Sequence, residues 1–261
     1  MGTVFAVILV CSTLFRCSLL FLPDTDTEGK KTFIDLGFLS RSPKFYLVPI
    51  IGNLFLLLRN KGSIRIKSLT QLLLELTVAI SMITLFYQHG LTFDFIFKLL
   101  WIVVFLFLAV IDFKSRKLPN HLTFPLICIL IFIIPFWNVM GYERTLLGLS
   151  GYMGSIINTS FTSIVLAIFG VGIYYAYPGF IGGGDIKLVV VTGLLFGFPD
   201  SLIIIYLSIM LGAVFSVIKM IIDKNIRSVT IPFGTVLAFS AVIVILSDNQ
   251  LRHVYEYIVL G

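Results

Sequence analysis

Apolar runs follow one another along the chain at 4–22, 69–87, 95–111, 122–137, 157–177, 186–198, 202–222 and 231–246, separated by short polar or glycine- and proline-bearing stretches. Most approach the ~20 residues with which a helix crosses ~30 Å of hydrocarbon. Polar and apolar residues do not alternate within them, as the strands of a transmembrane barrel would require. The pattern predicts an all-α fold, a polytopic transmembrane helical bundle of about eight helices. The sixth run is short for a full crossing and is expected to be tilted or packed inside the bundle. The glycine-rich stretch 145–154 is expected to form a re-entrant or interfacial helix. The first run has no basic region before it and no small-x-small site ahead of Pro23, so it is read as a retained helix rather than a signal peptide.

Composition agrees with the pattern. Hydrophobic residues make up 58% of the chain and charged residues 12%, with a mean hydropathy of +1.06. A soluble domain carries about 25% charged residues, too many to reconcile with this sequence. The net charge of +6 does not indicate a nucleic-acid partner, because the basic residues gather in a few loops between apolar runs. Lys30, Lys31, Arg41, Lys44, Arg59, Lys61, Arg65 and Lys67 lie between the first two runs. Lys114, Arg116 and Lys117 follow the third run, Lys187 stands at the start of the sixth, and Lys219, Lys224 and Arg227 surround the end of the seventh. The other side holds Lys98, Arg144 and Arg252. The first set of loops is therefore expected to be cytoplasmic and both termini outside. Membrane lipid is the expected surrounding. The three cysteines, Cys11, Cys17 and Cys128, lie in apolar stretches without metal-ligand spacing, so no metal site is expected.

Three carboxylates stand at or inside the expected membrane boundary: Glu75, Asp112 and Asp185. A carboxylate at a helix centre costs about 2.5–3.5 kcal/mol on insertion scales, so each is a functional candidate with a buried polar contact as its plain alternative. Asp112 ends an apolar run and is followed by a short basic turn and then Leu118-Pro119-Asn120; the Pro-Asn pair is expected to stop one helix and start the next. Asp185 follows Gly182-Gly183-Gly184 and precedes Ile186-Lys187. Glycines there are expected to permit positive φ and the close approach of another segment. A helix N-terminus would favour ionised Asp185. The expected topology brings Asp112 and Asp185 to one membrane face. The glycine turn matches neither a P-loop nor a dinucleotide fingerprint.

Taken together, these segments resemble the type 4 prepilin peptidases, which are GxGD intramembrane aspartyl proteases. Gly182-Gly183-Gly184-Asp185-Ile186-Lys187-Leu188 resembles their G-x-G-D-x-K-L motif, and Asp112 through Pro119-Asn120 resembles their first-aspartate motif. Ile231-Pro232-Phe233-Gly234-Thr235 resembles their Ile-Pro-Phe-Gly-Pro segment, with threonine in place of the final proline. The similarity is firm from about Val103 onward. Before it, Arg41-Ser42-Pro43, Val48-Pro49-Ile50 and Leu73-Leu74-Glu75-Leu76-Thr77 echo the family's cytoplasmic loop. No cysteine falls between Pro23 and Ser68, so the zinc ribbon of larger members has no ligands here. The resemblance implies N-terminal helices with a degenerate basic loop over 1–94 and an aspartyl peptidase core over 95–261.

The resemblance further implies Asp112 and Asp185 as the catalytic pair, with Gly182, Gly184, Lys187, Pro119, Asn120 and Glu75 in substrate-binding or supporting roles. Peptidase chemistry of this kind needs no cofactor; S-adenosylmethionine enters only if the family's methylation of the cut product is retained. The implied partners are prepilin or pseudopilin precursors, and the implied place is the inner (plasma) membrane with the active site at its cytoplasmic face. Three alternatives stand beside this reading: an ion-coupled carrier using the same acids, a catalytically silent assembly factor, and a GxGD protease of the presenilin type. For Lys187, an interfacial snorkelling lysine is the alternative.

Overall fold

The computed structural model describes residues 24–25, 31–32, 63–115, 118–136, 151–177, 181–223, 232–247 and 257. The expected first helix at 4–22, most of the basic loop and residues 137–150 lie outside these. The chain forms two compact units, Met1–Phe107 and Leu108–Gly261, and the division falls within one helix.

In the first unit, two-residue strands β1 (Asp24–Thr25) and β2 (Lys31–Thr32) pair antiparallel with Thr25 opposite Lys31. Helix α1 (Ser63–His89) follows, and α2 (Phe93–Ser115) begins after a turn at Gly90. Gly90 takes φ 63° and donates its N–H to the Phe86 carbonyl at 2.9 Å. Such a left-handed residue ends a helix at little cost when it lacks a Cβ. Across the turn Phe86 and Phe95 meet edge to face at 6.3 Å, and Lys98 Nζ donates to His89 Nε2 at 2.7 Å. Glu75 is buried in α1.

The second unit holds the end of α2, then α3 (Asn120–Ile133) with a 3-10 turn at Ile134–Phe136, α4 (Gly151–Ala176), α5 (Gly183–Phe196), α6 (Asp200–Asp223) and α7 (Phe233–Ser247). Helix α5 is the centre of this unit, packed against α3, α4, α6 and α7. Fourteen residues span about 21 Å at 1.5 Å per residue, well short of ~30 Å of hydrocarbon. Its residues from Val191 to Phe196 are all buried. The short sixth run thus lies inside the bundle.

Helix α4 explains how that helix is enclosed. Ser155, Asn158, Thr159, Thr162 and Ser163 recur at helical spacing and are buried. The hydroxyls of Thr159, Thr162 and Ser163 donate to carbonyls one turn back at 3.0, 2.7 and 2.6 Å. Such self-satisfied small side chains let two helices approach closely in lipid. Gly193 of α5 takes up the space: a Cβ there would lie 2.9 Å from the Ser163 Cα. The opposite face of α4 exposes Ile164, Ile168, Phe169 and Tyr175, as a lipid-facing surface does.

Of the re-entrant or interfacial helix expected at 145–154, residues 145–150 lie outside the described residues. Residues 151–154 are the first turn of α4, with Gly154 buried. Serine, threonine and asparagine lower the hydropathy of this end of the helix while facing protein, so the apolar run starts later than the helix. Among the described residues, three helices are long and apolar enough to cross a membrane, over Phe93–Phe113, Gly151–Ala176 and Asp200–Ile221. With the shorter apolar helices around them, the chain is a polytopic helical membrane protein.

Candidate active site

One end of the second unit gathers the C-terminus of α2 and the N-termini of α3, α5 and α7. Asp112 lies in the last turn of α2 and is buried. Its Oδ2 accepts the backbone N–H of Thr235 at 2.7 Å, and the Thr235 hydroxyl lies 3.1 Å from the same oxygen. That hydroxyl is also 3.2 Å from the Ala109 carbonyl. Asp185 lies in the first turn of α5, where its Oδ2 accepts the backbone N–H of Gly182 at 3.2 Å. The backbone of Gly234 supplies it with a further hydrogen bond.

Gly234 sets the relation of the two carboxyl groups. A Cβ built on it would lie 2.9 Å from Asp112 Oδ2 and 3.1 Å from Asp185 Oδ1. The two oxygens are therefore separated by no more than the sum of those distances, on either side of a space that only glycine leaves open. Successive amides at the start of α7 serve the two sides, Gly234 for Asp185 and Thr235 for Asp112. A helix N-terminus has free N–H groups to offer, and its dipole favours negative charge nearby.

Asp185 precedes the apolar run 186–198. Burial pushes its carboxyl up to about 6, with the Asp112 carboxyl adding to the rise and the bonds from Gly182 and Gly234 opposing it. The Gly182 N–H at the helix terminus favours the ionised form, as expected, while loss of solvent raises the carboxyl by more than that bond lowers it.

The supporting residues divide. Gly184 is a contact position, since its Cβ would lie 3.0 Å from the Leu118 Cβ and 3.3 Å from the Leu118 backbone nitrogen. A Cβ on Gly182 would crowd Asp185 Oδ2 at 3.1 Å, whereas one on Gly183 would meet nothing within 4 Å. The expected positive φ is absent from the two residues that open α5, which are helical, and Gly182 has φ −76°; close approach, not a left-handed turn, is what these glycines provide. Pro119 caps α3 with extended backbone (φ −71°, ψ 137°). Lys187 donates to Asn120 Oδ1 and lies 4.6 Å from the Phe124 ring centroid, tying α5 to α3. Glu75 belongs to the other unit.

Gly234 and Thr235 were not among the expected site residues. The signal for them was present in Ile231-Pro232-Phe233-Gly234-Thr235, a proline-glycine segment opening an apolar run. Nothing in its chemistry alone tells that its amides reach two carboxylates.

A buried carboxyl group, Asp112, and a half-buried one, Asp185, thus face a shared space at one end of a helical bundle. Residues 99–217 match the model of the type IV leader peptidase family. It is 26% identical over 221 residues to a prepilin leader peptidase/N-methyltransferase of Bacillus subtilis (strain 168), covering 82% of this chain and 81% of that one. No solved structure matches it.

Proposed function

We propose that the chain is an aspartic-type endopeptidase that cuts the basic leader from prepilin or pseudopilin precursors, with Asp112 and Asp185 as the catalytic pair. The observation that carries this reading is the placement of both carboxyl groups against Gly234. Two carboxyls so close do not both ionise readily, and a pair sharing one proton has what amide hydrolysis needs. The ionised member takes a proton from water as its oxygen attacks the peptide carbon. The protonated member polarises the peptide carbonyl by donating to its oxygen. Collapse of the tetrahedral intermediate breaks the C–N bond, and the leaving nitrogen receives a proton from the pair.

The predominance of basic residues in the loops beside Asp112 and Lys187 supports a site at the cytoplasmic face of the plasma (inner) membrane. A precursor helix entering from that side would bring the junction between its basic leader and apolar segment to the pair. Zinc has no cysteine ligands between Pro23 and Ser68. Methylation of the cut N-terminus from S-adenosylmethionine is a separate activity, read in the same assay by the mass of the product.

The test is cleavage of a co-expressed prepilin by the wild type, Asp112→Asn and Asp185→Asn at equal membrane abundance. Loss of the size shift in both variants is the expected result. Cleavage that persists in both would remove the pair from the chemistry and leave the carrier and assembly-factor alternatives.

A further inference from the structure

Thr235 holds more polar contacts than packing requires. Its N–H lies 2.7 Å from Asp112 Oδ2, and its hydroxyl oxygen lies 3.1 Å from that oxygen and 3.2 Å from the Ala109 carbonyl. A hydroxyl has one proton to donate and two lone pairs to accept with, so it cannot donate to both oxygens at once. With Asp112 ionised, the hydroxyl donates to Oδ2. With Asp112 protonated on Oδ2, the carboxyl O–H donates to the threonine oxygen, and the threonine proton turns to Ala109. Both arrangements use the same heavy-atom positions, and Thr235 is buried, where a lost hydrogen bond is not readily replaced by water.

We propose that Thr235 is a positioning residue that keeps Asp112 hydrogen-bonded in both of its protonation states by turning its hydroxyl proton between Asp112 and the Ala109 carbonyl. This rests on the peptidase reading, in which each carboxyl of the pair passes through both states in one turnover. The hydroxyl proton rotates and is never transferred, so the proton balance of the reaction is unchanged. Among the described residues, Asp185 of α5 is the ionisable side chain that the structure sets facing Asp112; α7 presents Gly234 and Thr235, which do not titrate.

The experiment measures prepilin cleavage against pH by the full-length protein in membranes, for the wild type, Thr235→Val, Thr235→Ala and Thr235→Ser. Valine keeps the shape and the backbone N–H and removes the hydroxyl. The bond is lost in both states, and the one to the ionised carboxylate is the stronger, so kcat is expected to fall roughly 10-fold with KM unchanged, and the acidic limb of the profile to move up by less than about one pH unit, the difference between the two bonds. Serine is expected to restore both. If valine does not accumulate in the membrane, alanine against serine makes the same comparison. A valine or alanine variant with the wild-type limb and kcat overturns the inference, as does a serine variant that behaves like valine. A wild type that cuts no prepilin overturns the peptidase reading and this inference with it, whereas cutting with indifferent variants overturns this inference alone.

Discussion

The Cβ of Leu118 lies 3.0 Å from the point where a side chain on Gly184 would begin. Leu118 follows the basic turn after Asp112, and Gly184 immediately precedes Asp185. The two segments that carry the acids are thus in contact through a position with no side chain.

This contact separates two adjacent glycines. Gly184→Ala pushes a methyl into Leu118 and its backbone, and overpacking of this kind costs about 1–3 kcal/mol. Gly183→Ala meets open space and is expected to be neutral or to gain up to about 1 kcal/mol, since alanine is favoured over glycine in a helix. Thermal unfolding of the two purified variants in detergent checks the order. Equal losses would mean that the approach of Leu118 is not what Gly184 serves.

Gly234→Ala tests the space between the acids. Its methyl would lie 2.9 Å from Asp112 Oδ2 and 3.1 Å from Asp185 Oδ1, forcing the pair apart and taking the room of a water. A displacement of ~1 Å at a reacting centre costs on the order of 100-fold in rate. Cleavage at equal membrane abundance is expected to fall by at least that factor. A variant retaining wild-type turnover would show that the reacting water does not lie between these oxygens.

The raised carboxyl of Asp185 makes stability depend on pH. Its ordinary value is 3.8, and in the fold it is pushed up to about 6. Between those values the folded state binds more protons than the unfolded one, so stability falls as pH rises and levels off above about 6. Asp185→Asn removes that group. Melting temperatures across this window should therefore show Asp185→Asn gaining on the wild type from low pH to neutrality. Parallel curves would argue that Asp185 is better solvated than its burial implies.

Much of this was legible in the sequence because membrane helices announce themselves by length and apolarity, and α1 through α7 cover the expected runs from 69 onward, the run at 4–22 lying outside the described residues. The sixth run's brevity also told its place, since a 14-residue helix cannot cross lipid alone. The start of α4 was not legible: Ser155 and Asn158 reduce hydropathy, and a sequence does not say which polar residues face another helix. Asp112 and Asp185 were marked by the cost of placing acids at a membrane boundary. Gly234 and Thr235 act largely through backbone amides, which every residue other than proline carries, so side-chain chemistry could not single them out. The balance between burial and helix terminus at Asp185 likewise depends on packing that no local pattern encodes.

Lys187 and Asn120 give a pairwise test. Their hydrogen bond joins α5 to α3 beside the pair, with the Phe124 ring next to the ammonium. Lys187→Met, Asn120→Ala and the double variant form a cycle. Asn120 is exposed, so the coupling is expected to be below about 1 kcal/mol. The expected sign is favourable, with the double variant less impaired in stability than the sum of the single ones. Strict additivity would indicate a lysine that extends independently to the interface.

Asn158 anchors the opposite end of α5. Its Oδ1 accepts the Phe198 N–H at 2.7 Å, and its Nδ2 donates to the Phe198 carbonyl at 3.0 Å, so one buried side chain closes the turn that leads into α6. Asn158→Ala leaves both backbone groups without these partners and is expected to cost roughly 2–4 kcal/mol. Asn158→Asp keeps an acceptor but loses the donor and buries a charge, so it should be at least as damaging. The turn lies about 18 Å along α5 from Asp185. Cleavage per folded molecule should therefore stay near wild type in the alanine variant while its melting temperature falls. A large loss of turnover at unchanged stability would mean that the far end of α5 controls the placement of Asp185.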